Sequence, residues 1–95
     1  MDHSLPGAEL IDQGIADLTA GVESVPALLV SIGAPRLRSL GVAVPTPVAP
    51  EPELRLYARL AETGDRGAHS KYNALVRRLV SFERALSWQQ SRAES

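Results

Sequence analysis

The sequence predicts an all-α domain, a small bundle of four or five helices with a proline-rich extended connector. Apolar residues recur at spacings of three and four positions in the first and last thirds of the chain, which is the period of an amphipathic helix. Gly and Pro residues mark the ends of these segments, and four prolines lie close together between positions 45 and 52. With 95 residues, 44% of them hydrophobic, the chain fits one domain with a small core, which self-association often completes.

The first predicted helix runs from Ala8 to Gly21. Its apolar stripe consists of Ile11, Ile15, Leu18 and Val22. Gly14 lies inside this segment, where a glycine costs about 1 kcal/mol relative to alanine. Either the helix is weak at Gly14, or another part of the backbone approaches it closely.

Two short helices are expected next, so that the N-terminal helices lie within about residues 8–40. Ser24 is the predicted N-cap of an apolar helix that ends at Gly33. A β-strand is the competing interpretation of residues 28–32, but the cap and stop signals on either side favour a helix. The second short helix carries Arg36 and Arg38. Residues 28–42 are therefore also a loose match to a DNA-binding helix-turn-helix.

The proline-rich connector covers residues 43–52. Proline fixes φ and has no backbone donor, so this segment is predicted to run extended, largely as polyproline II. Two roles fit such a segment, a semi-rigid link between two helical pairs or a ligand for an aromatic groove on a partner. A C-terminal helical hairpin is predicted at about 53–88, and the polar tail at 89–95 is predicted to fray.

Glu83 falls within the best apolar face that the sequence offers. On a helix formed by residues 70–88, it projects between Tyr72 and Val76. An unpaired ionised carboxylate costs several kcal/mol to bury, so Glu83 is expected to meet an arginine, to carry a proton, or to face a cavity that another molecule fills. The candidate partners are Arg36, Arg38, Arg55 and Arg59.

The start of the last helix, residues 69–73, is the densest run of groups capable of acid-base chemistry. Such side chains at a helix start usually bind the backbone instead. An enzyme or ligand site, if present, would be built around Glu83, Tyr72 and His69, but no catalytic residue is predicted. No metal or cofactor site is predicted either, because the chain has no cysteine and its two histidines are far apart in sequence.

Charge is distributed unevenly along the chain. Residues 1–35 contain five acidic and no basic residues, giving −5, whereas residues 36–95 contain ten basic and six acidic residues, giving +4. One explanation of this uneven charge lies within the fold, with an acidic first helix packed against a basic last helix. The other explanation is a partner molecule, with the basic half of the chain facing an anionic surface.

The outward side of the last helix is predicted to be basic. The candidate partner-binding residues are Arg77, Arg78, Arg84 and Trp88. Three interpretations fit this face: a solvated surface, a contact with a protein, or a contact with nucleic acid, in which the tryptophan would stack on a base. The net charge of −1 and the pI of about 6.1 count against nucleic acid.

Together these features predict a small, non-enzymatic interaction or assembly module that binds a protein partner or itself, with a homodimer as the expected form. The alternative is a nucleic-acid-binding or regulatory protein that uses the basic face of the last helix. No apolar stretch approaches the roughly 18 to 20 residues of a membrane span. The N-terminus begins with Asp2 and His3 rather than with a basic and then an apolar region. We therefore expect no membrane partner and a cytoplasmic location.

Overall fold

The computed structural model describes residues 5–62 and 67–94, and within these ranges it contains four α-helices and no strand. The all-α prediction is confirmed. The helices are α1 (Ala8–Thr19), α2 (Val25–Ser39), α3 (Pro52–Ala61) and α4 (Ala68–Glu94). None of these helices is long and apolar enough to cross a membrane.

Helix α2 lies at the centre of the fold because it is apolar on nearly all sides. It contacts α1, α3 and α4. Its most deeply buried side chains are Ala27, Leu28, Leu29, Val30 and Leu37. Each large apolar side chain buried in this way contributes about 1.5–3 kcal/mol. The other helices supply the surrounding core residues, chiefly Ile11, Leu56, Leu79 and Phe82.

The prediction that a helix ends at Gly33 is wrong. Helix α2 continues through Gly33 and Pro35 to Ser39. Gly33 is buried, and a Cβ atom there would lie 2.8 Å from Cδ1 of Leu79, so the glycine permits close packing of α2 against α4. The helix-turn-helix interpretation is also wrong, because its two short helices are one continuous helix.

The close approach proposed for Gly14 is confirmed. Gly14 is buried, and a Cβ atom there would lie 2.3 Å from the carbonyl oxygen of Pro26. The predicted N-cap at Ser24 is confirmed too, since its hydroxyl accepts a hydrogen bond from Ala27 N at 3.1 Å. The same hydroxyl donates to Oδ2 of Asp17 at 2.6 Å, which ties the end of α1 to the start of α2.

Residues 42–50 join α2 to α3 without helix or strand. Hydrogen bonds that hold this segment to α2 run from Val42 N to Leu37 O at 3.0 Å, from Ala49 N to the buried Ser31 Oγ at 3.2 Å and from Arg38 Nη2 to Pro45 O at 3.1 Å. The Thr46–Pro47 peptide bond is cis. A polyproline II conformation for this connector stays a prediction.

Helix α4 is longer than expected at its C-terminal end. It runs to Glu94, so the predicted end at residue 88 is wrong, and residues 89–94 are helical rather than a frayed tail. Two side-chain contacts explain the extension. Gln90 donates a hydrogen bond to the carbonyl oxygen of Leu40, beyond the end of α2, and the Arg92 guanidinium lies over the Trp88 ring.

Candidate interaction surface on the last helix

One side of α4 enters the core and the opposite side faces solvent. Leu79 and Phe82 are buried against the core. The solvent side carries a set of exposed residues that we call the basic face: Lys71, Arg77, Arg78, Arg84, Trp88 and Arg92. Arg77, Arg84 and Trp88 follow one another at spacings of seven and four, so they form a single row along the helix.

Trp88 is the most distinctive member of the basic face. Its side chain is 64% exposed, which is unusual for so large an apolar group. The guanidinium carbon of Arg92 lies 4.8 Å from the ring centroid, a cation–π geometry that orients the indole. Beside the ring is a notch of about 420 Å³ that is also lined by Leu5, Ala85 and Gln89. The basic face therefore includes an apolar recess next to an oriented aromatic ring.

Three arginines of the basic face have no carboxylate partner in the described part of the chain. Among the described side chains of α4 the one carboxylate is Glu83, which lies towards the core side of the helix. No described carboxylate forms a salt bridge with Arg77, Arg78 or Arg84. These three guanidinium groups therefore present their charge to solvent and are available to an anionic partner.

Glu83 is half-buried between α2 and α4. Its Oε2 would lie 3.2 Å from a Cβ atom placed on Gly33, so the carboxylate rests against the backbone of α2. Burial raises the pKa of Glu83 above its usual value, and the positive charge of Arg36 acts in the opposite direction. Of the arginines expected to meet Glu83, Arg36 is the nearby charge, but it does not reach salt-bridge distance.

Tyr72 and His69 lie in a different place from Glu83. Both pack near Tyr57 of α3, with ring centroids 6.0 Å and 6.5 Å from the Tyr57 ring. The His69 ring also lies 3.2 Å from Asn73 Nδ2. Glu83 follows Tyr72 by three helical turns, about 16 Å along α4. The three residues proposed as an enzyme or ligand site therefore do not converge, and none of them lines any of four clefts that the described residues form.

The outward side of α3 is a second exposed surface, which the sequence alone did not single out. Leu54 and Tyr57 are 67% and 42% exposed there. Two exposed glutamates lie beside Leu54 at the start of α3, and together with it they form what we call the acidic strip: Glu51, Glu53 and Leu54. No described basic side chain forms a salt bridge with these glutamates.

The arginines of α3 explain why this surface is acidic. Arg55 Nη1 pairs with Glu23 Oε1 at 2.9 Å, and Arg59 Nη2 donates to the Glu23 carbonyl oxygen at 2.7 Å. Both cations are thus directed towards the α1–α2 loop. The sequence places Arg55, Arg59 and Glu62 on one polar strip, and in the fold all three line a single cleft with Glu23.

The described residues contain no group of three histidine or acidic side chains placed to hold a metal ion. Comparisons with known protein families, with curated proteins and with solved structures give no match to this chain. Function must therefore be inferred from the exposed surfaces of α3 and α4.

Proposed function

We propose that this protein is a helical protein-interaction module that self-associates through the basic face of α4. The observation that carries the proposal is Trp88, which is exposed, oriented by Arg92 and placed in a row with Arg77 and Arg84. Tryptophan and arginine are the residue types most enriched at the energetic centres of protein interfaces. A partner that covers Trp88 would remove its large apolar surface from water at about 25 cal/mol per Å².

The size of the fold supports self-association as the form of this interaction. A chain of this length has limited apolar core, and α4 contributes few fully buried side chains to it over 27 residues. An interface on the outer side of α4 would add apolar burial that the monomer lacks. The proposal includes a cytoplasmic location and a proline-rich extended connector that links the two helical pairs.

The proposal is tested by sedimentation velocity combined with tryptophan fluorescence. Trp88 is the only tryptophan of the chain, so its emission reports on the basic face without any label. We expect a dimer to form with rising micromolar concentration, and the emission of Trp88 to move to shorter wavelengths as the ring leaves water. Trp88→Ala and Arg84→Glu should both shift the monomer–dimer equilibrium towards monomer.

A matched control separates the effect of the basic face from the effect of net charge alone. Ala16→Glu combined with Ala20→Glu changes the net charge by the same amount as Arg84→Glu, at exposed positions on or next to α1. This control should dimerise like the wild type. A wild-type protein that stays monomeric with unchanged emission across the concentration range would contradict the proposal.

A second candidate function is nucleic-acid binding by the same surface. It is favoured by the exposed cationic side chains on one helix and by an aromatic ring able to stack on a base. Quenching of Trp88 by duplex and single-stranded oligonucleotides would measure it, with binding that weakens strongly between about 50 and 200 mM salt. Arg77→Ala and Arg78→Ala should weaken the binding, and unchanged emission at tens of micromolar oligonucleotide would exclude this candidate.

A further inference from the structure

We infer that the basic face of α4 binds the acidic strip of α3 in a second copy of this chain, and that the contact is reciprocal in a two-fold dimer. This inference rests on the proposed self-association and names the surface that the basic face receives. It follows from three properties of the two surfaces, namely their charge, their apolar groups and their placement on the molecule.

The charges of the two surfaces are opposite and internally unbalanced. The acidic strip carries two exposed glutamates without a described basic partner, while Arg55 and Arg59 are turned towards Glu23. The basic face carries Arg77, Arg78 and Arg84 without a described carboxylate partner. Each surface therefore lacks the counter-charges that the other presents, and opposed potentials of this kind steer association and set its register.

The apolar groups of the two surfaces are also complementary. Leu54 is the most exposed large apolar side chain of the described residues, and it lies among the glutamates of the acidic strip. Trp88 and the notch beside it, with Leu5 and Ala85 in its wall, lie within the basic face. A leucine that enters this notch and covers the indole would give the interface a dry centre with ion pairs around it.

Placement and length allow both contacts to form at once. Helices α3 and α4 both contact α2, and they also contact each other. The ten residues of α3 are about 15 Å long, and the row from Arg77 to Trp88 is about 16 Å long. A two-fold axis can therefore place α3 of each copy along α4 of the other, in a closed, self-complementary interface.

The test is a charge swap between two variants. One variant carries Glu51→Lys and Glu53→Lys at the start of α3, and the other carries Arg77→Glu and Arg84→Glu on α4. Each variant alone sets like charges against each other at both contacts of the dimer, so its dissociation constant should rise at least tenfold, about 1.4 kcal/mol. An equimolar mixture restores opposite charges at both contacts and should form a heterodimer in the concentration range of the wild-type dimer.

All four positions are exposed, and circular dichroism of each variant should show wild-type helix content. Glu9→Lys, an exposed charge reversal on α1, matches Glu53→Lys in charge and should leave the dimer unchanged. If the α4 variant loses the dimer but the α3 variant keeps it, or if the mixture fails to associate, the partner named here is wrong while self-association through α4 stands. A monomeric wild-type protein would instead overturn the proposed function itself.

Discussion

The first helical pair, α1 with α2, and the second pair, α3 with α4, use their residues differently. In α2, every residue from Ala27 to Ser31 is buried within a helix of 15 residues. In α4, which has 27 residues, the described side chains buried to the same degree are Ala68, Leu79 and Phe82. The first pair therefore contributes more of its residues to the interior, and the second pair places most of its residues at the surface.

The contrast extends to how closely the backbones approach. The first pair is joined where Gly14 of α1 meets the Pro26 backbone, a contact that leaves no room for a side chain. The second pair meets through larger groups, with Tyr57 packed at 6.0 Å from Tyr72. We infer from this difference that stability resides mainly in the α1–α2 pair and in the few α4 residues that dock on it, while the outward sides of α3 and α4 are available for association.

The sharpest test of this contrast compares two aromatic residues on α4. Phe82 is fully buried, whereas Trp88 is mostly exposed. Phe82→Ala should lower the free energy of unfolding by about 3–5 kcal/mol, because it removes a large core side chain and leaves a cavity. Trp88→Ala should change the stability of the monomer by less than about 0.5 kcal/mol, as expected for a surface position.

Urea unfolding, followed by circular dichroism below the concentration at which dimers form, measures both values. Circular dichroism is needed because Trp88→Ala removes the only tryptophan. Equal losses from the two substitutions would mean that Trp88 belongs to the core, and the division of α4 into a core side and a surface side would then fail.

The second prediction concerns the contact within the first pair. Gly14→Ala improves the intrinsic helix propensity of α1 by about 1 kcal/mol. The added methyl group would nevertheless collide with Pro26 O and with Cγ2 of Val30, which lies 2.4 Å from the Cβ position. Overpacking of this kind typically costs about 1–3 kcal/mol, so a net loss of stability is expected. A matched substitution at exposed Gln13, Gln13→Ala, should have a much smaller effect, and a gain in stability for Gly14→Ala would refute the close contact.

The glycines show which features of this fold can be predicted from the sequence and which cannot. The sequence predicted the helical class, the cap at Ser24 and the alternatives at Gly14 from local signals that do not depend on the rest of the molecule. The predicted helix end at Gly33 was wrong, because glycine, which often ends helices, here permits a close contact with Leu79. A local pattern does not distinguish these two uses, because the second depends on a residue 46 positions away along the chain.

The candidate surface was only half predictable for the same reason. The basic row on α4 follows from helical periodicity and is visible in the sequence. The acidic strip on α3 depends on Glu23, which engages both Arg55 and Arg59. The helical extension beyond Trp88 likewise depends on Gln90 reaching Leu40. In each case a long-range partner decides the outcome, and periodicity within one helix carries no information about that partner.

The smallest expected effect concerns Glu83, where α4 meets α2 at the edge of the core. Burial raises its pKa in the folded state, so the folded protein binds a proton at Glu83 more readily than the unfolded chain does. The stability contributed by protonated Glu83 is therefore present below the unfolded-state pKa and is lost as the pH rises through the folded-state pKa. Glu83→Gln keeps the shape of the protonated side chain but cannot ionise.

Glu83→Gln should consequently be more stable than the wild type near neutral pH, and the two proteins should converge as the pH falls below about 4. The gain is expected to be modest, because Glu83 keeps contact with solvent and the charge of Arg36 offsets part of the cost of burial. Urea unfolding of both proteins across this pH range measures the difference. If Glu83→Gln were instead less stable at neutral pH, the attraction of Arg36 would outweigh burial, and Glu83 would belong with the ionic contacts that fasten the two helical pairs together, as Glu23 and Arg55 do.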